Sequence, residues 1–203
     1  NNTFEEEFNF DTPITADITL YAKWDINSYT VTFDSNGGST VASQTVEYNA
    51  TADEPIAPTK TGYEFAGWYE DNNTFEEEFN FDTPITADIT LYAKWDINSY
   101  TVTFDSNGGS LVESQIVAYN NKATKPADPT KTGYNFSGWY KDDVTFANAF
   151  NFNTLITEDI TLYAKWTVNN YTLTYKDSLS EEIYETQDYD FGAAVTAIED
   201  PTK

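Results

Sequence analysis

The chain has 203 residues and a net charge of −24, from 34 acidic residues against 10 lysines, and it contains no histidine, arginine or cysteine. That balance argues against nucleic-acid binding, because phosphate contacts need clustered cations. Disulfide bonds and every nucleophile–base pair built on histidine or cysteine are excluded by composition.

The chain repeats itself. Residues 1–39 recur without a change at 72–110, a shift of 71. "YAKW" ends at Trp24, Trp95 and Trp166, "GWY" at Tyr69 and Tyr140, and "PTKTGY" at Tyr63 and Tyr134, all at that shift. A third strand-like start, "YTLTY", begins at Tyr171; beyond it the sequence drifts, and "PTK" at Pro201 falls 72 residues after Pro129. An internal period overrides the usual reading of length as a domain count. With "YTVTF" taken as the start of a unit, the chain reads as the C-terminal half of a unit at 1–28, complete units at 29–99 and 100–170, and the N-terminal half of a divergent unit at 171–203. A phase that opens and closes in mid-unit implies a longer parent chain. A unit of this size is near the limit at which one core suffices, and the 17% aromatic content is the expected means of building it.

In chain order, "YTVTF" alternates Tyr29, Val31 and Phe33 with threonines, the period of a half-buried strand. "DSNGGS" follows, with Asn36-Gly37 suited to a tight hairpin turn. "SQTVEY" reads as a second strand with Val46 and Tyr48 on one side. "NATADEPIAPTKTG" is broken by Pro55, Pro58 and Gly62 and reads as a loop. "GYEFAGWY" is a strand in which Gly67 interrupts the alternation, the sign of a bulge. "DTPITAD" suggests a short helical turn with Thr83 as N-cap and Pro84 first inside it. "ITLYAKW" alternates Ile89, Leu91, Ala93 and Trp95 and is the strongest strand of the unit. Only "DINS" separates it from the next "YTVTF", too short for a flexible tether, so an extended and fairly stiff array is expected. The expected core is Tyr29, Phe33, Phe65, Trp68, Leu91 and Trp95, repeated as Tyr100, Phe104, Phe136, Trp139, Leu162 and Trp166.

Taken together, "YTVTFDSNGGS", "PTKTGYEFAGWY" and "ITADITLYAKW" resemble the Listeria-Bacteroides repeat, the B-type repeat of the internalin family of bacterial surface proteins. The resemblance covers essentially the whole chain, except that 171–203 departs from the pattern after Tyr175. It implies a mainly β fold, α+β at most, of tandem small β-grasp-like domains. It also implies an extracellular location on a bacterial cell surface, often between a recognition domain and an anchor; neither of those is recognisable in this sequence.

No catalytic, cofactor-binding or metal-ligating residue is assigned. Asp34 and Asn36 have the spacing of the first calcium-loop ligands, but the fifth and twelfth positions are Gly38 and Thr45, so a turn is the better reading. A carboxylate pair of the glycosidase kind is chemically open. Against it, Glu76, Glu77 and Glu78 become Ala147, Asn148 and Ala149 in the next unit while Phe75 and Phe79 persist as Phe146 and Phe150. Trp68 with Tyr69, and Trp139 with Tyr140, form either a sugar platform or core, and core is preferred. Tyr92 and Tyr163 are the better candidates for exposed contacts. The expected role is a non-catalytic stalk that projects a recognition domain; the alternative is an adhesive module with a host-cell surface protein or glycan as partner, gaining avidity by repetition. No run is apolar enough to span a membrane. The two half-units are expected to complement one another head to tail between molecules.

Overall fold

The computed structural model describes residues 6–177 and 180–197. The outermost residues of the 1–28 and 171–203 assignments, namely 1–5 and 198–203, lie outside these, as do 178 and 179. The chain divides into two compact units, Asn1–Thr61 with Phe65–Asp96, and Gly62–Glu64 with Ile97–Lys203.

The first unit is built on four strands: β1 (Ser28–Asp34), β2 (Gln44–Glu47), β3 (Tyr63–Tyr69) and β4 (Ile89–Ile97), with the extreme residues of β3 and β4 counted in the second unit. Their order in the sheet is β2-β1-β4-β3. β1 divides its length between two partners. Its first half pairs antiparallel with β2, from Ser28 opposite Glu47 to Val31 opposite Gln44. Its second half pairs parallel with β4, from Val31 opposite Ile89 to Asp34 opposite Tyr92. A parallel pair needs a long crossover, often a helix. Here β2, β3 and irregular loops make the crossover, and the described residues contain no helix. The fold is therefore all-β, repeated small sheet domains, rather than α+β.

Core residues come from both strands and loops. Val31, Phe33, Trp68, Leu91 and Ala93 line one face of the sheet; Ala52, Phe79 and Ile85 close over it from the loops. Rings meet edge-on, with Phe33 and Phe65 centred 4.9 and 5.4 Å from Trp68. Each such ring, when buried, contributes about 1.5 to 3 kcal/mol. Of the expected core, Phe33, Trp68 and Leu91 are buried, as are Phe104, Trp139 and Leu162. Tyr29, Phe65 and Trp95, with Tyr100, Phe136 and Trp166, are only partly buried and pack around the rim, because a single sheet covered by loops cannot enclose every ring.

The second unit repeats the same sheet with β5 (Ser99–Asp105), β6 (Gln115–Ala118), β7 (Tyr134–Tyr140) and β8 (Ile160–Val168) in the order β6-β5-β8-β7. β5 pairs parallel with β8, placing Phe104 opposite Leu162. β7 pairs antiparallel with β8 and slips register between Phe136 and Gly138, so the glycine break is a bulge. Gly138 has φ of 124°, a conformation that L side chains rarely adopt. Two further strands, β9 (Asn170–Lys176) and β10 (Ile183–Asp190), form a separate antiparallel pair. β9 pairs with β10 from end to end, whereas β5 pairs with β6 only from Ser99 to Val102.

Three local expectations change. Asn36 (φ 47°) and Gly37 (φ 82°) do make a tight turn, closed by the Gly38 N–H to Ser35 carbonyl bond at 3.0 Å. That turn does not join paired strand ends, because nine residues separate β1 from β2 and the end of β1 belongs to β4. "DTPITAD" forms no helical turn. Asn80 makes the turn there, accepting from the Asp82 N–H at 2.9 Å, and Pro84 forms an isolated antiparallel bridge with Thr51. "DINS" is not a linker of four: β4 extends to Ile97 and β5 begins at Ser99.

Candidate functional site

In the first unit, three sequence blocks that lie far apart in the chain converge on one turn. The Trp95 indole N–H donates to the Ser35 carbonyl at 2.9 Å, and the Asn36 side-chain amide donates to the Ala93 carbonyl at 2.8 Å. The Lys60 ammonium donates to the Asn36 carbonyl at 2.8 Å and sits 5.5 Å from the centre of the Trp95 ring. The Ser39 N–H donates to the Thr59 carbonyl, and the Thr59 N–H to Ser39 Oγ, both at 2.9 Å. Gly38 has no space for a side chain: a Cβ would stand 2.5 Å from Cζ2 of Trp95. "NGG", "PTK" and "AKW" are thus parts of one clamp that fastens the turn onto β4. Trp166, Ser106, Asn107, Lys131 and Ala164 repeat it in the second unit. Asp34, the first residue of the rejected calcium loop, accepts from the Asn36 N–H at 2.9 Å.

The tryptophans considered for a sugar platform are core. Trp68 is 1% exposed, and its indole N–H has no acceptor; Trp139 is in the same condition. Tyr69 is buried with its hydroxyl donating to the Ala66 carbonyl at 3.2 Å, and Tyr140 is half-buried. Tyr92 and Tyr163 are not the exposed contacts expected of them. They are half-buried, because β4 and β8 are central strands with neighbours on both sides.

Glu76, Glu77 and Glu78 are exposed. Ahead of them, Asp71 caps a turn, its Oδ1 accepting from the N–H groups of Asn73 and Thr74 at 2.9 and 2.7 Å and from the Thr74 hydroxyl at 3.1 Å. The Thr74 backbone bond, then the Asn73 bond, holds its carboxyl below the ordinary 3.8. Asp142 is lowered likewise, first by the Thr145 hydroxyl and then by its N–H. These caps hold Phe75 and Phe146 at positive φ, 48° and 47°, which turns their rings edge-on to Tyr69 and Tyr140. Asp71 and Asp142 serve the loop's shape. Among the described residues no three acids are grouped so as to hold a metal ion.

The second unit contains an arrangement that the sequence did not single out. Asn169 alone separates β8 from β9. Its N–H donates to the Gly133 carbonyl at 2.8 Å, and its own carbonyl accepts from the Phe191 N–H at 2.8 Å. Gly133 has φ of 80°, and the Phe191 ring occupies the place where its Cβ would be; that ring also lies edge-on to Tyr134, 6.5 Å between centres. The same unit holds a second copy: the Asn98 N–H donates to the Gly62 carbonyl at 2.9 Å, the Tyr119 N–H to the Asn98 carbonyl at 2.7 Å, and the Tyr119 ring lies against Gly62. The signal in the sequence was an aromatic residue at 119 and, after the one-residue insertion, at 191.

The model of the Listeria-Bacteroides repeat domain matches residues 1–23, 29–94 and 100–165. A putative membrane protein of Evansella cellulosilytica is 45% identical over 190 residues, 93% of this chain and 27% of that one. Internalin H of Listeria monocytogenes is 44% identical over 147 residues, 70% of this chain and 26% of that one. The chain thus spans about a quarter of the length of these relatives. Among solved structures, domains 3-4 of the Streptococcal High Identity Repeats in Tandem from a cell surface protein align over 70% of this chain and 98% of theirs, at 18% identity and a TM-score of 0.29. With matches to the same repeat model over most of its length, at both complete copies and at the N-terminal segment, the chain belongs to the Listeria-Bacteroides repeat domain family.

Proposed function

We propose that these repeats are a non-catalytic spacer in a bacterial cell-surface protein of the internalin kind, holding a recognition domain away from the surface. One observation carries the reading. The most exposed large apolar side chains of the two four-stranded domains are Ile56, Val144, Leu111 and Ile116, and none is shared between the copies. Ile56 corresponds to Ala127, Leu111 to Thr40, Ile116 to Thr45 and Val144 to Asn73. An adhesive array would keep its contact residues from copy to copy, whereas a spacer needs to keep only core, clamp and joint. Those are what recur: Trp68 and Trp139, Gly38 and Gly109, Asn98 and Asn169.

The names of relatives, a putative membrane protein and an internalin, fit a surface location. None of the described residues forms a helix long and apolar enough to cross a membrane. The joint at Gly133, Asn169 and Phe191, within the second unit, fits the short connections of a spacer, because a single intervening residue with both its N–H and C=O bonded has little freedom.

The test is binding of the whole chain to host cells and to glycan arrays, beside a variant whose exposed polar residues are scrambled while the aromatics are kept. Equal, background binding by both supports the spacer. Saturable binding lost on scrambling overturns it in favour of adhesion to a host protein or glycan.

A further inference from the structure

The chain enters each four-stranded domain on one strand and leaves it on that strand's neighbour. β1 and β4 are the first and last strands of the first domain, β5 and β8 those of the second, and in both sheets the two lie side by side and parallel. In the second domain their ladder runs from Val102 opposite Ile160 to Asp105 opposite Tyr163. The entry at Ser99 and the exit at Val168 therefore fall at opposite ends of one parallel pair. A pull on the chain acts along these strands in opposite directions, so β5 and β8 are loaded in shear. Bonds loaded in shear share the force and fail together, whereas a ladder pulled open from one end breaks rung by rung.

Side chains fasten this seam at both ends. Ahead of the ladder the Thr101 N–H donates to Asp159 Oδ1 at 2.7 Å; beyond it the Asn107 amide donates to the Ala164 carbonyl at 2.9 Å and the Trp166 indole N–H to the Ser106 carbonyl at 2.8 Å. The first domain repeats them, as Thr30 on Asp88, Asn36 on Ala93 and Trp95 on Ser35, at 2.8, 2.8 and 2.9 Å. Asp88 and Asp159 are exposed, and the residue before them changes from Ala87 to Glu158 while they stay. Phe104 and Leu162, opposite one another in the ladder, are buried, so sliding the strands also drags both side chains across a packed core.

We propose that each four-stranded domain is a force-bearing element, in which the seam between first and last strands resists tension along the chain. The role rests on the spacer reading for the source of the tension, since a tether between a surface and a bound target is pulled from both ends. The strength is a property of the domain alone, so its failure would leave the spacer reading standing, and host binding by the repeats would leave the strength standing. Forced unfolding is governed by the unfolding rate rather than by equilibrium stability, so strength under load and resistance to urea are separable.

Single-molecule pulling on the whole chain tests this, with handles attached through introduced cysteines, since the chain has none of its own. Ser99→Cys with Thr167→Cys loads β5 and β8 in shear, and Ser99→Cys with Glu158→Cys peels them apart from the Ile160 end. All three positions are exposed, and only one handle moves between the two geometries. Two further variants are pulled in shear, with urea midpoints read beside them. Asp159→Ala removes a fastening of the seam, whereas Gln115→Ala removes side-chain bonds to Thr124, at 2.7 and 2.9 Å, that lie off it. The expected result is an unfolding force in shear at least about twofold that in peeling at one loading rate, lowered by Asp159→Ala and kept by Gln115→Ala even where its urea midpoint falls. Equal forces in the two geometries, a shear force unmoved by Asp159→Ala, or one lowered as much by Gln115→Ala overturns the proposal.

Discussion

The Trp95 indole N–H is bonded to the Ser35 carbonyl at 2.9 Å across 60 residues of sequence, and Trp166 makes the same bond to Ser106 at 2.8 Å. This bond, with the Asn36 amide on Ala93, ties the turn after the first strand to the last strand of the domain. It explains why the "NGG" and "YAKW" blocks travel together: the second glycine exists because the indole lies on it. Gly38→Ala should destabilise the first domain by about 1 to 3 kcal/mol, the usual range for forcing an extra methyl into a packed place. Urea denaturation measures this. An unchanged midpoint would mean that the ring swings away freely and the clamp contributes nothing.

Trp68 fills the centre of the domain but leaves its N–H without an acceptor. Its contribution is therefore volume and ring contact. Trp68→Phe should be tolerated, at less than about 1.5 kcal/mol, while Trp68→Ala should lose about 3 to 5 kcal/mol. Equal losses in the two variants, read from thermal melts, would show the indole N–H to be satisfied after all.

Asp71 and Asp142 have carboxyls held below the ordinary aspartate value by their loop hydrogen bonds. A depressed folded-state value means that their stabilisation is fully present above the ordinary value of 3.8 and is lost as pH falls through the lower, folded-state value. Melting temperature should fall more steeply below about pH 4 in the native chain than in a double Asp71→Asn, Asp142→Asn variant. Parallel acid profiles would remove these two groups from the account.

Gly133→Ala places a side chain at φ of 80° and against the Phe191 ring. It should expel the ring and release the Asn169 and Phe191 N–H groups, costing about 1 to 2 kcal/mol of local stability. Amide exchange at those two positions should quicken at least tenfold while the Val102 and Leu162 amides of the core keep their protection. Coupled acceleration of the core would show that joint and domain unfold as one.

Much of this architecture is written in the alternation of residues. β1, β4 and the bulge at Gly138 follow from period-2 patterns and one misplaced glycine, because side chains on a strand must alternate between core and water. The turn at Asn36-Gly37 was equally legible, since it needs two consecutive positive φ values. Its place in the fold was not, because sequence does not reveal that the second half of β1 is reserved for a parallel partner 58 residues away. Pro84 misled for a related reason: "DTP" suits a helix start locally, and only the structure shows Pro84 bridged antiparallel to Thr51 instead.

The sharpest separation between the two kinds of information is internal to the chain. Residues 18–26 and 89–97 have one sequence, and therefore one propensity and one alternation. The second copy is β4, central in its sheet, with Leu91 0% exposed. The first forms no strand, with Leu20 49% and Trp24 89% exposed. Sequence determined which face of the strand would be apolar and that the unit repeats. Whether the strand exists at all was decided by tertiary structure: an isolated strand satisfies none of its backbone groups and buries none of its side chains, and only β1 and β3 on either side supply both.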